Sequence, residues 1–354
     1  MKLDRERSFN LLRTAVSLLI ALAVAYIIIF AVSATPLESI QIFTFGPLDS
    51  ARHMGNIVEM AIPLIFSGLS MAVVFQASLF NLGAEGIFFL TGALVSVVAI
   101  FVPMPAGVHP LVIISMGALI GALVMLIPGI LKAKFNASEL VTSLMLNSIL
   151  LGVGLYILTN FLRDPTTGTQ ISYKFAKTAL LPDIIPGTRI HLGLVFALVC
   201  VVVTFLFLYR TKWGYEIRMT GLNADFARYS GINTAKVIIM AHVVAGILAG
   251  MGGAVETIGM HQRFEWTALP GYGFDGAMIA MLAGNNPLGV VGAALFVAYL
   301  RVGADMVARL SDVPTEMVAI LQCIIILLVS AERFLHKYKQ RWIEKGVVKH
   351  GATV

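Results

Sequence analysis

The chain has 354 residues, of which 58% are hydrophobic and only 12% charged, and its mean hydropathy is +0.89. An ordinary soluble domain has about a quarter of its residues charged, so this composition excludes a water-soluble globule and indicates a polytopic membrane protein. The net charge of +6 does not indicate a nucleic-acid partner, because the basic residues gather in a few segments, as they do in cytoplasmic loops. Cys200 and Cys323 both lie in apolar runs, without the spacing of a disulfide or metal site.

The apolar runs predict an all-α fold with about ten transmembrane helices, because roughly 20 apolar residues cross the hydrocarbon core of a bilayer. The first run ends near Ala31-Val-Ser-Ala34, which resembles a signal-peptidase site. We expect an uncleaved span there, since the run is longer than the core of a usual signal peptide. The predicted spans are Thr14–Ser33, Ile57–Phe75, Ala84–Val102, Leu111–Leu131, Leu140–Phe161, Leu192–Tyr209, Val237–Ile258, Tyr272–Ala283, Val290–Val302 and Met317–Ser330.

The distribution of charge predicts that both ends of the chain lie in the cytoplasm. Lysine and arginine are enriched in cytoplasmic segments, and an even number of spans returns the chain to the side on which it began. Lys132 and Lys134 then fall at an inner turn, and residues 1–354 form a single transmembrane domain. Its predicted aqueous segments are a cytoplasmic head (1–13), an extracytoplasmic loop (162–191), a central basic loop in the cytoplasm (210–236) and a basic cytoplasmic tail (331–354).

Small residues recur within the predicted spans at a spacing of four. Gly117 and Gly121 share one helical face, and so do Gly246 and Gly250. Glycine pairs at this spacing allow two helices to approach closely in a membrane. The pattern predicts a compact helical bundle and does not indicate a substrate.

The central basic loop contains a short helix with its own start and stop signals. Asn223 is a good N-cap residue, and Gly231 can adopt the left-handed conformation that ends a helix. The turns between them place Phe226 and Tyr229 on one side. A helix this short is marginal alone, so we expect it to dock onto a partner. The alternative is an ordinary cytoplasmic loop that is basic for topological reasons only.

Few ionisable side chains lie within the predicted spans, and two of them are embedded in glycines. Glu85 lies in FNLGAEG, and Asp275 lies in GYGFDGAM. An acid at membrane depth is a candidate for function, but each could instead accept hydrogen bonds from backbone N–H groups at a helix break. Asn147 also has two interpretations, a contact between helices or a place in a pathway.

The sequence predicts no enzyme activity. The G-x-G-x-x-G match at Gly271–Gly276 follows no strand and opens a predicted span, so it is not interpreted as a dinucleotide site. The sequence contains no P-loop, no Ser-His-Asp arrangement and no His-x-x-Glu-His motif. His242, within the seventh span, is interpreted as a hydrogen-bonded packing residue.

Four segments, in order, resemble permease subunits of ABC-type importers in the branched-chain amino acid, ribose and nucleoside group. They are FNLGAEGIFFLTGA, TSLMLNSI, GYEIRMTGLNADFARYSGIN and GFDGAMIAMLAGNNPLG. The combination is most similar to bacterial nucleoside permeases that work with basic membrane lipoproteins. The resemblance implies a type II ABC importer permease fold in the bacterial plasma membrane. It also implies that this chain binds no cofactor and that ATP is used by separate subunits.

The resemblance further implies three protein partners besides the lipid bilayer. These are cytoplasmic ABC ATPase subunits, a second permease subunit in a heterodimer and an extracytoplasmic substrate-binding lipoprotein. A coupling helix over Ala224–Ser230 would lodge in the ATPase. The implied ATPase-coupling residues are Gly214, Arg218, Gly221, Asn223, Ala224, Phe226, Ala227, Tyr229, Gly231 and Ile232. The chain departs from the family pattern at Met219-Thr220, at Asp225-Phe226 and at Ile87, where glutamine is common.

A path for a neutral polar solute should offer hydrogen bonds and few fixed charges. The candidate pathway residues are Asn81, Glu85, Asn147, Asp275, Asn285 and Asn286. Nucleosides are the expected substrate, with a ribose-type sugar or a branched-chain amino acid as alternatives. An alternative of another class is an ion-coupled secondary transporter in which Glu85 and Asp275 are the ion-linked acids.

Overall fold

The computed structural model describes residues 26–314, together with residues 20, 23, 24, 317, 320 and 324. Residues 26–32 are helical, and the part of the chain described contains no extended strand. A 3-10 turn at Gly46–Leu48 follows α1, and a π turn at Leu158–Leu162 continues α5. The helices are α1 (Pro36–Phe45), α2 (Ala51–Gln76), α3 (Ala84–Phe101), α4 (Val108–Phe135), α5 (Glu139–Ile157), α6 (Gly193–Arg210), α7 (Lys212–Leu222), α8 (Ala224–Tyr229), α9 (Thr234–Met260), α10 (Tyr272–Leu282) and α11 (Pro287–Leu310).

Within the described residues, seven helices are long and apolar enough to cross a membrane. They are α2, α3, α4, α5 with its π turn, α6, α9 and α11, and each contains or matches one predicted span. The predicted first and last spans lie largely outside the described residues, as do the head (1–13) and the tail (331–354). The predicted span Tyr272–Ala283 corresponds to α10, which has 11 residues and is about 16 Å long, so this helix alone is shorter than the hydrocarbon core of a bilayer.

The described residues form two compact units, one within residues 1–47 and 300–354 and the other within residues 48–299. In the first unit, Asp312 accepts hydrogen bonds from the hydroxyl of Ser33 (2.6 Å) and from the N–H of Ala34. The bond from Ser33, followed by that from Ala34, lowers the pKa of Asp312 below its ordinary value. Asp312 therefore fixes the residues that precede α1 to those that follow α11.

In the second unit, α9 is the central helix and packs against α2, α3 and α4. Its contact with α4 is made by the two glycine pairs that the sequence places at a spacing of four. Gly121 faces Gly246, and Gly117 faces Gly250, so closely that a Cβ on Gly121, Gly246 or Gly250 would overlap a backbone carbonyl oxygen opposite. We call these four residues the glycine seam. The seam confirms the prediction that the glycines allow close helix contact.

The predicted extracytoplasmic loop (162–191) is irregular and is held by ionic and backbone contacts. Arg263 forms an ion pair with Asp164 at 2.8 Å, and Ser172 exchanges hydrogen bonds with Phe264. Hydrogen bonds from Thr166, followed by the contact with Arg263, lower the pKa of Asp164. The loop is therefore anchored to the segment that follows α9.

Gly55 and Glu59, near the beginning of α2, contact this 162–191 loop through Thr188 and Arg189. The other end of α2, at Gln76, contacts the central basic loop. The two predicted aqueous loops therefore lie at opposite ends of one helix, as expected for loops on opposite sides of a membrane.

Candidate functional site

The central basic loop (210–236) forms two consecutive helices, α7 and α8. Thr211 begins α7 by accepting a hydrogen bond from the N–H of Gly214 at 3.1 Å. Asn223 begins α8 by accepting one from the N–H of Phe226 at 2.9 Å, which confirms the predicted N-cap. Helix α7 was not predicted, because its sequence carries only a weak apolar pattern among charged residues.

Gly231 ends α8 in the predicted left-handed conformation, with φ of +84°. Its N–H donates to the carbonyl of Arg228, and the N–H of Ile232 donates to the carbonyl of Ala227, both at 3.0 Å. This pair of bonds satisfies carbonyl groups that would otherwise be free at the end of the helix. Local residue preferences therefore determine both ends of a helix of only six residues.

Besides Trp213 and Tyr215 in α7, three large apolar or aromatic side chains at the end of α7 and on α8 are exposed. Leu222 is 80% exposed, Phe226 55% and Tyr229 91%. We call these three residues the exposed patch. Ala227, which lies between two of them in sequence, is fully buried, so enlarging it would disturb internal packing rather than a docking surface. Large exposed apolar groups this close together in sequence, on two short capped helices, are typical of an interaction site.

Other residues of the same sequence motif face inward and join the loop to the transmembrane helices. Gly214 packs on the backbone of Phe207 and Leu208, and Gly221 packs on the carbonyl of Gln76. The guanidinium of Arg218 lies 4.9 Å from the centre of the Tyr209 ring. The motif thus combines an outward surface, including Asn223 and Ala224, with an inner attachment.

The second feature of the site is the break between α2 and α3, residues 77–83. Three side chains of α5 spaced four residues apart, Glu139, Ser143 and Asn147, hold this segment, and we call them the polar ladder. The amide of Asn147 accepts from the N–H of Gly86 and donates to the carbonyl of Leu82, both at 3.0 Å. Both backbone groups are thereby satisfied where water is excluded.

The remaining two members of the polar ladder bind the earlier part of the break. The hydroxyl of Ser143 accepts from the N–H of Leu82 at 3.1 Å, and Glu139 accepts from the N–H of Phe80 at 3.4 Å. Glu139 also forms an ion pair with Lys132 at 2.9 Å. Residues four apart lie on one helical face, so a single face of α5 supports the whole irregular segment.

Asn81 lies within the break and is fully buried. Its side-chain oxygen accepts from the N–H of Gly83 at 2.7 Å, while its Nδ2 has no hydrogen-bond partner. An amide nitrogen has two N–H donors, so Asn81 retains unused donors beside the polar ladder.

Glu85 joins the first turn of α3 to the first turn of α10. Its two carboxylate oxygens accept from the N–H groups of Gly271 and Gly273, and the side chain is almost fully buried. The N-terminal N–H groups of α10 carry partial positive charge and offset part of the cost of burying a carboxylate at this position. Asp275 lies in the same turn of α10 and is also buried.

The glycines of the G-x-G-x-x-G match serve helix packing. Gly271 has φ of +89°, a Cβ on Gly273 would crowd Glu85, and one on Gly276 would overlap Ser67. The hydroxyl of Ser67 donates to the carbonyl of Tyr272. These contacts agree with the interpretation that the motif is not a dinucleotide site.

Asn285 and Asn286 lie at the other end of α10. Asn285 has φ of +57°, and its N–H donates to the carbonyl of Ala280 at 2.8 Å, which closes the helix. The side-chain oxygen of Asn286 accepts from the N–H of Leu288 at 3.1 Å, at the start of α11. Both asparagines therefore shape the turn between two helices.

The structure thus brings four of the six candidate pathway residues together and leaves two apart. The four are Asn81, Glu85, Asn147 and Asp275, around the break and the first turn of α10. Asn285 and Asn286 lie one length of α10 away, about 16 Å for its 11 residues. That these residues line a translocation pathway stays a prediction.

Sequence reasoning missed a cluster of polar residues at the opposite end of α2 from Gln76. Glu59 lies 3.7 Å from Arg189, and Glu256 accepts from the hydroxyl of Tyr272 and lies 3.8 Å from His261. Both glutamates are buried and close enough to interact electrostatically. Their position near the ends of two predicted spans, beside the 162–191 loop, was the signal that could have found them.

Two histidines of this region, His191 and His261, have pKa values shifted in opposite directions. Burial lowers the pKa of His191 to about 4, so its Nδ1 is available to accept from the N–H of Gly193 at 3.2 Å. Burial alone would also lower the pKa of His261, but the carboxylates of Glu256 and Glu265 raise it above its ordinary value. At neutral pH, His191 is therefore uncharged, whereas His261 is the more readily protonated of the two.

We predict that Asn147→Leu destabilises the protein because it leaves the N–H of Gly86 and the carbonyl of Leu82 without partners. The expected loss is on the order of 2–6 kcal/mol, since each of the two buried unsatisfied groups costs about 1–3 kcal/mol. The measurement is the midpoint of thermal unfolding of the purified protein in detergent. Ser148→Ala is the matched control, because Ser148 is exposed and bonds only within its own helix. Equal midpoints for both variants would contradict a supporting role for the polar ladder.

The chain matches the family model described as branched-chain amino acid transport system / permease component over residues 53–330. It is 32% identical to the guanosine ABC transporter permease protein NupP of Bacillus subtilis, covering 98% of this chain and 99% of that protein. It is 32% identical to the nucleoside ABC transporter permease protein NupB of Lactococcus lactis, covering 86% of each. It is 31% identical to the glucose ABC transporter permease protein TsgB13 of Haloferax volcanii, covering 91% of this chain and 88% of that protein. Among solved structures, none matches the chain.

Proposed function

Since this chain belongs to the family of branched-chain amino acid transport system permease components, we propose that it is the transmembrane permease of an ATP-driven nucleoside importer. The observation that carries the proposal is its similarity to a guanosine permease along nearly the full length of both chains. The seven apolar helices make it an integral membrane protein, and we place it in the plasma membrane of a bacterium with both termini inside and about ten helices in all.

Nucleosides are the favoured substrate because two of the relatives are named for guanosine or nucleoside transport. The amide groups near the break suit a neutral solute with many hydrogen-bonding positions, and Asn81 keeps N–H donors that no protein group uses. A simple sugar is the second candidate, since another relative is named for glucose transport.

Glu85 also bears on the alternative of an ion-coupled transporter. The carboxylate of an ion-coupled transporter binds and releases a proton or a sodium ion in each cycle. Its hydrogen-bond partners must therefore change during the cycle. The carboxylate of Glu85 is instead engaged by two backbone N–H groups of α10, which favours a structural cap. We therefore propose that the energy for transport comes from ATP hydrolysed by separate cytoplasmic ATPase subunits and not from an ion gradient.

The exposed patch is the surface that we assign to the ATPase subunit. Leu222, Phe226 and Tyr229 form an apolar projection on two capped helices, which could fill a groove on a partner. Gly214, Arg218 and Gly221 then attach this projection to the transmembrane helices. A second permease subunit and an extracytoplasmic binding lipoprotein complete the proposed importer, the latter approaching the end of α2 that carries the 162–191 loop.

The proposal is tested by reconstituting the permease with its ATPase subunits and binding protein in vesicles loaded with ATP. Uptake of radiolabelled guanosine should require ATP, should be unaffected by an imposed proton or sodium gradient, and should resist excess glucose or leucine. Competition by glucose or leucine would overturn the substrate. Uptake driven by an ion gradient without ATP would overturn the transport mechanism.

A further inference from the structure

Gln76, the last residue of α2, connects four separate elements of the structure. Its side-chain Nε2 donates to the carbonyl of Asn285 at 2.9 Å and to the hydroxyl of Tyr209 at 3.3 Å. Its backbone carbonyl faces Gly221 at the end of α7. Gln76 therefore contacts α6, α7 and the turn between α10 and α11, in addition to its own helix.

The contact between α2 and α7 is made by backbone atoms, with no flexible side chain between the two helices. A movement of one helix is therefore passed directly to the other. A Cβ on Gly221 would overlap the carbonyl oxygen of Gln76, so the two backbones touch directly. The hydroxyl of Ser78 also donates to the carbonyl of Gly221 at 2.7 Å. A displacement of α7 must therefore displace the end of α2, because close-packed protein groups are poorly compressible.

The side chain of Gln76 extends this connection to the candidate pathway. Asn285 closes α10, and the other end of α10 is capped by Glu85 from the first turn of α3. A continuous series of direct contacts thus runs from Gly221 through Gln76 and Asn285 to Glu85. Helix α10 is the rigid member between the last two.

The contact with Tyr209 provides a second attachment of the same loop. The ring of Tyr209 lies against the guanidinium of Arg218 in α7, and its hydroxyl accepts from Gln76. Both N–H groups of the Gln76 amide are accounted for by these two acceptors. The geometry requires a donor at this position, so a carboxylate of the same size would face the carbonyl of Asn285 unfavourably.

We propose that Gln76 is a positioning residue that couples the ATPase-bound loop to α10 and thereby links ATP hydrolysis to movement of the solute. This proposal rests on the proposed function, because it requires that a partner ATPase acts on the central basic loop. It adds that the amide of Gln76, and not only packing between helices, carries the connection.

The test compares Gln76→Met and Gln76→Glu with the wild type in the reconstituted importer. Both variants should retain the ATPase subunits, the thermal midpoint and ATP hydrolysis, while solute moved per ATP falls roughly tenfold, because two hydrogen bonds are lost. Gln41→Met is the matched control, since Gln41 is an exposed glutamine in α1, outside both predicted aqueous loops. The amount of solute that this control variant moves per ATP should equal that of the wild type.

A second substitution separates the amide connection from general packing. Tyr209→Phe keeps the ring beside Arg218 and removes only the acceptor of the longer bond. Because Gln76 and Tyr209 share that bond, the double variant Gln76→Met with Tyr209→Phe should lose less than the sum of the two separate losses. If the loss of solute moved per ATP in the double variant equalled the sum of the two separate losses, the proposed coupling through Tyr209 would be overturned.

If Gln76→Met moved as much solute per ATP as the wild type, the proposal would be overturned. Loss of the ATPase subunits or of thermal stability in that variant would overturn it as well, because Gln76 would then be a structural residue. Failure of the proposed function is recognised separately, since the wild-type importer itself would show no ATP-dependent uptake of guanosine.

Discussion

Replacing Phe226 and Tyr229 together by alanine is expected to lower ATP-dependent uptake by about 100-fold or more, because exposed aromatic anchors dominate the energetics of protein interfaces. The two side chains are 55% and 91% exposed, so their removal takes little from the fold of the permease itself. Asn223 and Gly231, which begin and end α8, are left unchanged. The loss should therefore arise from weaker binding of the ATPase subunit.

The decisive measurement is the amount of ATPase that co-purifies with the permease, together with the thermal midpoint of the permease alone. The double variant should lose the ATPase and keep its midpoint. Tyr156→Ala is the control, because Tyr156 is a similarly exposed aromatic residue in α5, outside the central basic loop. Normal recovery of the ATPase with the double variant would show that the exposed patch is not the docking surface.

Gly246→Ala is expected to cause a large loss of stability. The new Cβ would overlap the carbonyl oxygen of Gly121, so α4 and α9 would have to separate along the glycine seam. Overpacking of this kind costs on the order of 3 kcal/mol or more where backbone atoms must move. The thermal midpoint in detergent and the yield of folded protein both report the loss.

Gly152→Ala provides the comparison for Gly246→Ala. Gly152 lies in α5, and a Cβ there would meet no atom within 4 Å. Alanine favours a helix over glycine by about 1 kcal/mol, so this variant should be as stable as the wild type or slightly more so. A midpoint for Gly246→Ala equal to that of Gly152→Ala would mean that the helices tolerate separation and that the seam is not required.

The parts of the fold that the sequence predicts well are those set by local chemistry. A long apolar run predicts a buried or lipid-facing helix, and the N-cap at Asn223 and the left-handed Gly231 follow from the preferences of those residue types. The two glycine pairs also predicted close packing. That Gly121 would face Gly246 did not follow, because the pattern marks a contact face without identifying its partner.

The parts that the sequence could not predict depend on residues far apart along the chain. Glu85 finds its partners at Gly271 and Gly273, more than 180 positions away, so its role as a cap could only be offered as one of two interpretations. An apolar run such as 272–283 indicates burial but not whether the helix crosses the membrane. Helix α7 is stabilised largely by its packing on α6 and α9, which its sequence does not reveal.

Helix α2 runs without interruption from Ala51 to Gln76, with Pro63 inside it, and touches both predicted aqueous loops. Two binding events that act through one such element obey a reciprocal rule, since coupling between sites has the same free energy in either direction. Suppose that a binding protein docked beside Glu59 strengthens the binding of the ATPase near Gly221. The ATPase must then strengthen the binding of that protein by the same factor. Through this one helix, ATP binding to the cytoplasmic ATPase would change the affinity for the extracytoplasmic binding protein, and docking of the binding protein would change the affinity for the ATPase.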